Sequence, residues 1–296
     1  MSRNHCPNRT VIGILNQNGT FAEYMSVPLM NLHIVPSSIP DEIAVFSEPL
    51  AAACRVVEQG LINFRYRGGS SVRGGDRVAI LGDGKLGLCI AEILGREYLQ
   101  SVAMNEQQQQ KQDENGEIKL GLAPHPPRLF GKHLHKLELV AESGVERHLV
   151  QECYSDGSTM ETVSPLHANQ YDVVIDSTGN PNGLTLAMTL CRPMGRLVLK
   201  STCAAGVKGF NSAPIVIDEL QVVGSRCGPI DKALELLEGN STEEKLDDVV
   251  VSPPLRMEKY VTETFPLSRV RDALECAAKR STMKVQLVMD GSPTSS

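Results

Sequence analysis

A chain of 296 residues, 41% hydrophobic and 22% charged, is long enough for one large or two ordinary domains with a sizeable core. Its net charge of -6, with no Trp and only six Phe and six Tyr, leaves no basic field interleaved with aromatics, so nucleic acid is excluded as a partner. No run approaches twenty consecutive apolar residues, and Met1 to Arg9 is polar where a secretory leader would be apolar, so the reading is a soluble, cytoplasmic protein without membrane contact.

The first residues place a His and a Cys (His5, Cys6) before Pro7 and an apolar run. The other seven cysteines, Cys54, Cys89, Cys153, Cys191, Cys203, Cys227 and Cys276, lie far apart with no CxxC pair, and most read as small buried hydrophobes. From about Gly75 strands alternate with helices. VAIL (78–81) is a short β-branched run, KLGLCIAEILGREYL a helix, YDVVIDSTG a strand closed by a turn, LTLAMTLCR a helix and GRLVLKST a strand. That alternation predicts an α/β fold, a doubly wound parallel sheet with crossover helices. Glu106 to Pro127, rich in Gln and charge and then in Pro, reads as a surface insertion with too little apolar surface to order itself. Further on, ALELLEG and VRDALECAAKR are amphipathic helices, KVQLVM is a closing strand, and GSPTSS a frayed tail.

The densest chemical signal is DRVAILGDGKLG. Gly82, Gly84 and Gly87 form GxGxxG directly after a predicted strand and at the mouth of a predicted helix. In that context the first glycine permits the tight turn, the second lets backbone approach a pyrophosphate, the third lets helix and strand pack, and the helix start, with Lys85, favours phosphate charge. A ribose contact is expected at the end of the second strand, about twenty residues on. If that strand is SVAMNE, Glu106 stands where an NAD-binding acid belongs. If it is RLFGKH, its end carries Lys132 and His133, which suit the extra phosphate of NADP. We read NADP slightly ahead of NAD. Ser177, Thr178 and Gly179 end one strand, and Lys200, Ser201 and Thr202 the next, at the sheet edge where open α/β sheets bind ligands.

NGTFAEYMSVPLMNLHIVPSSIPDEIAVFSEPLAAACRVVEQG, GDRVAILGDGKLG, YDVVIDSTGNPNGL, RPMGRLVLKST, QVVGSRCGP and FPLSRVRDALECA with KVQLVM follow one another in the order found in zinc-dependent medium-chain dehydrogenases, and the sorbitol and threonine dehydrogenase branch is the most similar. The resemblance spans nearly the whole chain outside the insertion. It implies a Rossmann-type sheet domain at 58–228, a remnant of a GroES-like, β-rich catalytic domain at 1–57, and a return to that domain at 229–296. By the same resemblance Cys6 is the last of four cysteines that hold a structural zinc, and the chain begins within a domain. Glu48, from the EPLA motif, is the remaining catalytic zinc ligand. Its alternative is an acid that stabilises a following helix through the helix dipole. His5, His33, His133 and His135 lack the family's ligand context.

The resemblance further places the loop at Ser177 beside the adenosine and that at Ser201 beside the nicotinamide, with Arg226 in VVGSRCG as an anion contact. It implies hydride transfer between an alcohol or polyol and NAD(P), with zinc expected for the family and pairing into a dimer or tetramer through the edge of the sheet. A metal-free NADPH reductase and a non-catalytic nucleotide-binding remnant are the alternatives.

Overall fold

The computed structural model describes residues 5–64, 75–113, 124–155, 158–162, 164–202, 211–239, 253–279 and 281–289. The chain divides into two compact units, one of Phe46–Leu255 and one of Met1–Val45 with Arg256–Ser296. Cys153 and Cys203 lie outside the residues whose side chains are described.

The larger unit is built on six parallel strands, β1 (Val78–Leu81), β2 (Arg128–Gly131), β3 (Glu146–Leu149), β6 (Tyr171–Asp176), β7 (Cys191–Leu199) and β8 (Gln221–Gly224). Their order is β3-β2-β1-β6-β7-β8, the doubly wound arrangement whose direction of winding reverses between β1 and β6. The continuous β-branched runs read from sequence become central strands because both faces are covered. Ile80, Val174, Ile175, Leu197 and Val198 are fully buried. Helices α2 (Ser47–Glu58), α3 (Lys85–Asp113), α4 (Leu134–Leu137), α5 (Pro181–Leu190), α6 (Ala213–Ile217) and α7 (Ile230–Glu238) complete the unit, with α2 packed on α3 and α7. Strands β4 (Gln151–Ser155) and β5 (Ser158–Thr162) form an antiparallel hairpin that the sequence reading did not contain.

Two expectations are corrected. SVAMNE is not a strand: it continues α3, and Arg128–Gly131 is the second strand, paired in parallel with β1. Contrary to expectation, the stretch from Glu106 does not lack order from its start, since α3 runs to Asp113. Gln, Glu and Lys are good helix formers, and no Gly or Pro interrupts them before Gly116. After residues 114–123, which lie outside the description, Pro124 and Pro127 are buried beside the start of β2.

In the smaller unit α1 (Asp41–Ala44) precedes a two-stranded parallel sheet of β9 (Val261–Pro266) and β10 (Lys284–Val288), against which α8 (Val270–Ala277) packs. Gln286 Nε2 donates to the Glu42 carbonyl at 2.7 Å. Apolar side chains between residues 12 and 35 stay exposed, Tyr24 at 90% and Ile34 at 93%.

At the amino-terminal edge of the large sheet, Arg128 donates from Nε to Glu146 Oε2 at 2.6 Å and from Nη1 to the Tyr171 hydroxyl at 2.9 Å. Its Nη1 also lies 3.2 Å from His167 Nδ1, whose ring meets that of His148 at 4.5 Å. An imidazole that accepts from a guanidinium there must be neutral. Burial, then the Arg128 charge, holds both histidines below their ordinary value. The unfolded chain therefore binds more protons than the folded one once the pH drops toward the ordinary histidine value. The stabilisation is complete above about pH 6.5 and is lost as pH falls below it. The denaturant midpoint should drop between about pH 7.5 and about pH 5.5, and should drop less in a His148→Asn/His167→Asn double variant. An identical pH slope in the two proteins would remove these histidines as the cause.

Candidate functional site

The carboxyl ends of β1, β6, β7 and β8 carry the residues singled out in sequence, and the structure brings them to one edge. Gly82, with φ +115°, makes the turn from β1, a conformation that a side chain strains. A Cβ at Gly87 would overlap the Gly82 carbonyl oxygen and stand 2.8 Å from Ser177 Oγ, so α3 sits on the strand end only because that side chain is missing. Gly84 differs: a Cβ there would meet nothing within 4 Å. It is exposed at the mouth of α3 beside exposed Lys85, a position where backbone amides of the helix start face an anion. The described residues thus leave open space over the backbone at Gly84 and the start of α3.

Hydrogen bonds lace this edge from strand to strand. Ser177 Oγ donates to the Leu81 carbonyl at 2.9 Å, joining β6 to β1. Asp176 Oδ1 accepts from Thr178 N at 2.9 Å and Thr178 Oγ1 at 2.7 Å, which sets the turn after β6. Gly179 N donates to Ser201 Oγ at 2.7 Å, tying that turn to the end of β7. Thr202 and Arg226 are exposed at the rim. Lys200 Nζ donates to Ser225 Oγ at 3.0 Å and to the Arg226 carbonyl at 2.8 Å, tying β7 to the loop after β8. Gln59 Nε2 donates to the Gly224 carbonyl at 3.4 Å from the far side.

Lys200 is only 7% exposed. Burial outweighs its neighbours and pulls the ammonium down to about 8. Sequence placed Lys200 at the strand end without a role. Its burial is the signal that was missing, because a lysine that follows RLVL can equally be solvated.

A second residue that sequence reasoning passed over is Asp83, the middle residue of Gly-Asp-Gly. Its Oδ2 accepts from Lys132 N and His133 N, both at 2.7 Å, and lies 3.0 Å from His133 Nδ1. The loop after β2 is therefore anchored to the glycine turn, with Lys132 exposed beside it. Glu106 is on α3, exposed, some twenty residues along the helix from the glycine turn. The strand assignment that made it a ribose contact is corrected, and the residues that end the second strand are Lys132 and His133.

Glu48 is exposed in the first turn of α2, where an acid favours the helix dipole. Cys6 belongs to the smaller unit, partly buried, with its carbonyl accepting from Arg9 Nη1 at 3.2 Å. Zinc needs three or four such side chains converging on one point. Among the described residues no group of three or more His, Cys, Asp or Glu could hold a metal ion, so these residues do not fit the zinc that the resemblance implies. Of the cysteines, Cys54, Cys89 and Cys191 are buried as expected, Cys6 and Cys276 are partly exposed and Cys227 is exposed. No helix among the described residues is long and apolar enough to cross a membrane.

Residues 130–239 match the family model described as zinc-binding dehydrogenase. The chain is 27% identical over 221 residues to an L-threonine 3-dehydrogenase of Xanthomonas euvesicatoria pv. vesicatoria, covering 74% of this chain and 52% of that protein. It thus spans about half the length of that curated relative. Among solved structures it is similar to a protein of Escherichia coli CFT073 named short chain alcohol dehydrogenase and complexed with NADH, at TM-score 0.64 and 21% identity over 97% of this chain and 70% of that one. L-idonate 5-dehydrogenase of Escherichia coli K-12 aligns at TM-score 0.63 and 19% identity over 92% of this chain and 64% of that one.

Proposed function

We propose that this chain, a medium-chain, zinc-type dehydrogenase-like protein, binds NAD(P) along the carboxyl edge of its large sheet and serves hydride transfer to or from a small alcohol or polyol. The observation that carries this reading is the Gly82–Gly87 turn, which opens α3 at the strand where the sheet reverses its winding. Backbone at Gly84 and the start of α3, with Lys85, would hold the pyrophosphate. Ser177, Thr178 and Gly179 would flank the adenosine side, and Ser201, Thr202 and Arg226 the nicotinamide side. When bound, the nicotinamide supplies the hydride acceptor or donor, and the protein contributes orientation and exclusion of water. Lys132, exposed at the end of the second strand where an additional ribose phosphate would lie, favours NADP over NAD.

The poor fit of the described residues to zinc supports a second reading, in which the unit binds the dinucleotide without a metal. The exposed edge strand β8, with Val222 outward and Val216 and Ile217 exposed on α6, supports pairing of two copies through that edge. The cytoplasm remains the proposed compartment.

The emission of bound NADPH, excited in the reduced-nicotinamide band where no side chain of the chain absorbs, follows binding directly. Titration with NADPH should saturate with a dissociation constant of about 1 to 100 μM, tighter than with NADH. Failure of both dinucleotides to bind would sink the proposal. Binding with no turnover on a panel of alcohols, polyols and their carbonyl products would leave the nucleotide-binding unit and remove the dehydrogenase activity.

A further inference from the structure

Lys200 is a buried cation whose hydrogen-bond acceptors, Ser225 Oγ and the Arg226 carbonyl, are both neutral. Among the described residues it forms no ion pair. The charged and titratable groups that act on it from the packed elements are Glu48, Cys54 and Arg55 of α2 and Cys227 after β8. Arg55 spends its charge on Glu58, 2.6 Å from its Nη1. A desolvated ammonium without a carboxylate partner is costly, and a fold retains one most readily where a ligand makes use of it.

This charge stands at the end of β7, one residue before Ser201, in the half of the sheet edge that the proposed function gives to the nicotinamide. The two redox states of that ring differ in charge. The oxidised ring carries a formal positive charge. Addition of hydride, one proton with two electrons, makes the ring neutral, while the pyrophosphate stays anionic in both states. A fixed cation beside the ring therefore opposes the oxidised state alone.

We propose that Lys200 biases the bound cofactor toward its reduced form, so that NADPH is held more tightly than NADP+ and the equilibrium on the protein is drawn toward oxidation of the alcohol. The inference rests on the proposed cofactor site and goes beyond it by giving the site a redox direction. Two unit charges about 10 Å apart, in surroundings of effective dielectric about 20, change a binding ratio by about tenfold.

The experiment measures dissociation constants of NADPH and NADP+ by calorimetry on the full chain, in wild type, Lys200→Met and Lys200→Arg. Met keeps the length and apolar stem without the charge, and Arg keeps the charge. Wild type should bind NADPH more tightly than NADP+ by a ratio that falls about tenfold in K200M and is kept in K200R. In wild type the ratio should also fall as pH rises through about 8, where the ammonium loses its proton. A loss of affinity for both forms by the same factor in K200M, with the ratio intact, would mean that Lys200 only shapes the loop after β8, and would overturn the inference while the cofactor site stands. If neither form binds to wild type, the cofactor site falls and this inference with it.

Discussion

Gly87→Ala is expected to lower stability by about 3 kcal/mol or to prevent folding of the large unit, whereas Gly84→Ala is expected to leave the thermal midpoint unchanged or slightly raised. The two glycines stand three residues apart in one motif, yet the added methyl meets different surroundings. At Gly87 it would strike the Gly82 carbonyl and Ser177 Oγ. Neither can yield cheaply, because Gly82 holds the turn from β1 and Ser177 is bonded to the Leu81 carbonyl. At Gly84 the methyl enters open space. If a pyrophosphate fills that space, G84A should weaken NADPH binding by about tenfold or more, since a methyl of ~2 Å reach would hold the phosphate off the backbone amides. Melting curves and NADPH titrations on both variants decide the matter. A stable G87A protein would show that helix and strand can separate there. A G84A protein that binds as wild type does would move the pyrophosphate away from this turn.

How much of this was legible in the sequence depends on whether the signal is local. VAIL, YDVVID and the GRLVL of GRLVLKST are strands as read, because a run of β-branched and aliphatic residues closed by Gly or a polar residue admits few other conformations. The glycine turn was legible for the same reason. The second strand was legible only as one of two alternatives, because RLFG is four residues long and lies beyond an unusual Gln-rich stretch, so SVAMNE at the customary distance competed with it. That competition is settled by pairing with β1, a long-range fact. The start of β7 was read as helix, since LTLAMTLCR carries no breaker before Pro193. The helix ends at Leu190, and Cys191 pairs with Tyr171. Most of the residues singled out for the carboxyl edge of the sheet do lie at strand ends, as read. The bonds that make it rigid were not legible, because Asp83 and Lys200 read as ordinary polar residues until burial and partners are known.

Asp83→Ala is expected to cost about 2 to 4 kcal/mol of stability and to blunt discrimination between NADPH and NADH. An acid is an unusual neighbour for a turn proposed to hold phosphate, and here it is occupied by hydrogen bonds. Oδ2 receives the Lys132 and His133 backbone amides and lies against His133 Nδ1, and the side chain is 11% exposed. Gly131 lets this happen, since a Cβ there would stand 2.6 Å from Asp83 Cβ. Truncation leaves two amides at the end of β2 without the largely buried carboxylate that accepts from them, and a donor left unsatisfied costs more than the bond itself contributed. Asp83→Asn separates the two components. Its Oδ1 can still accept from both amides, so the thermal midpoint should fall less than in D83A, while the charge-assisted part is lost. The loop held by Asp83 presents Lys132, so loosening it should weaken NADPH binding more than NADH binding if Lys132 meets the additional phosphate. Equal weakening of both dinucleotides would show that the anchor supports the glycine turn as a whole and that Lys132 does not choose the cofactor.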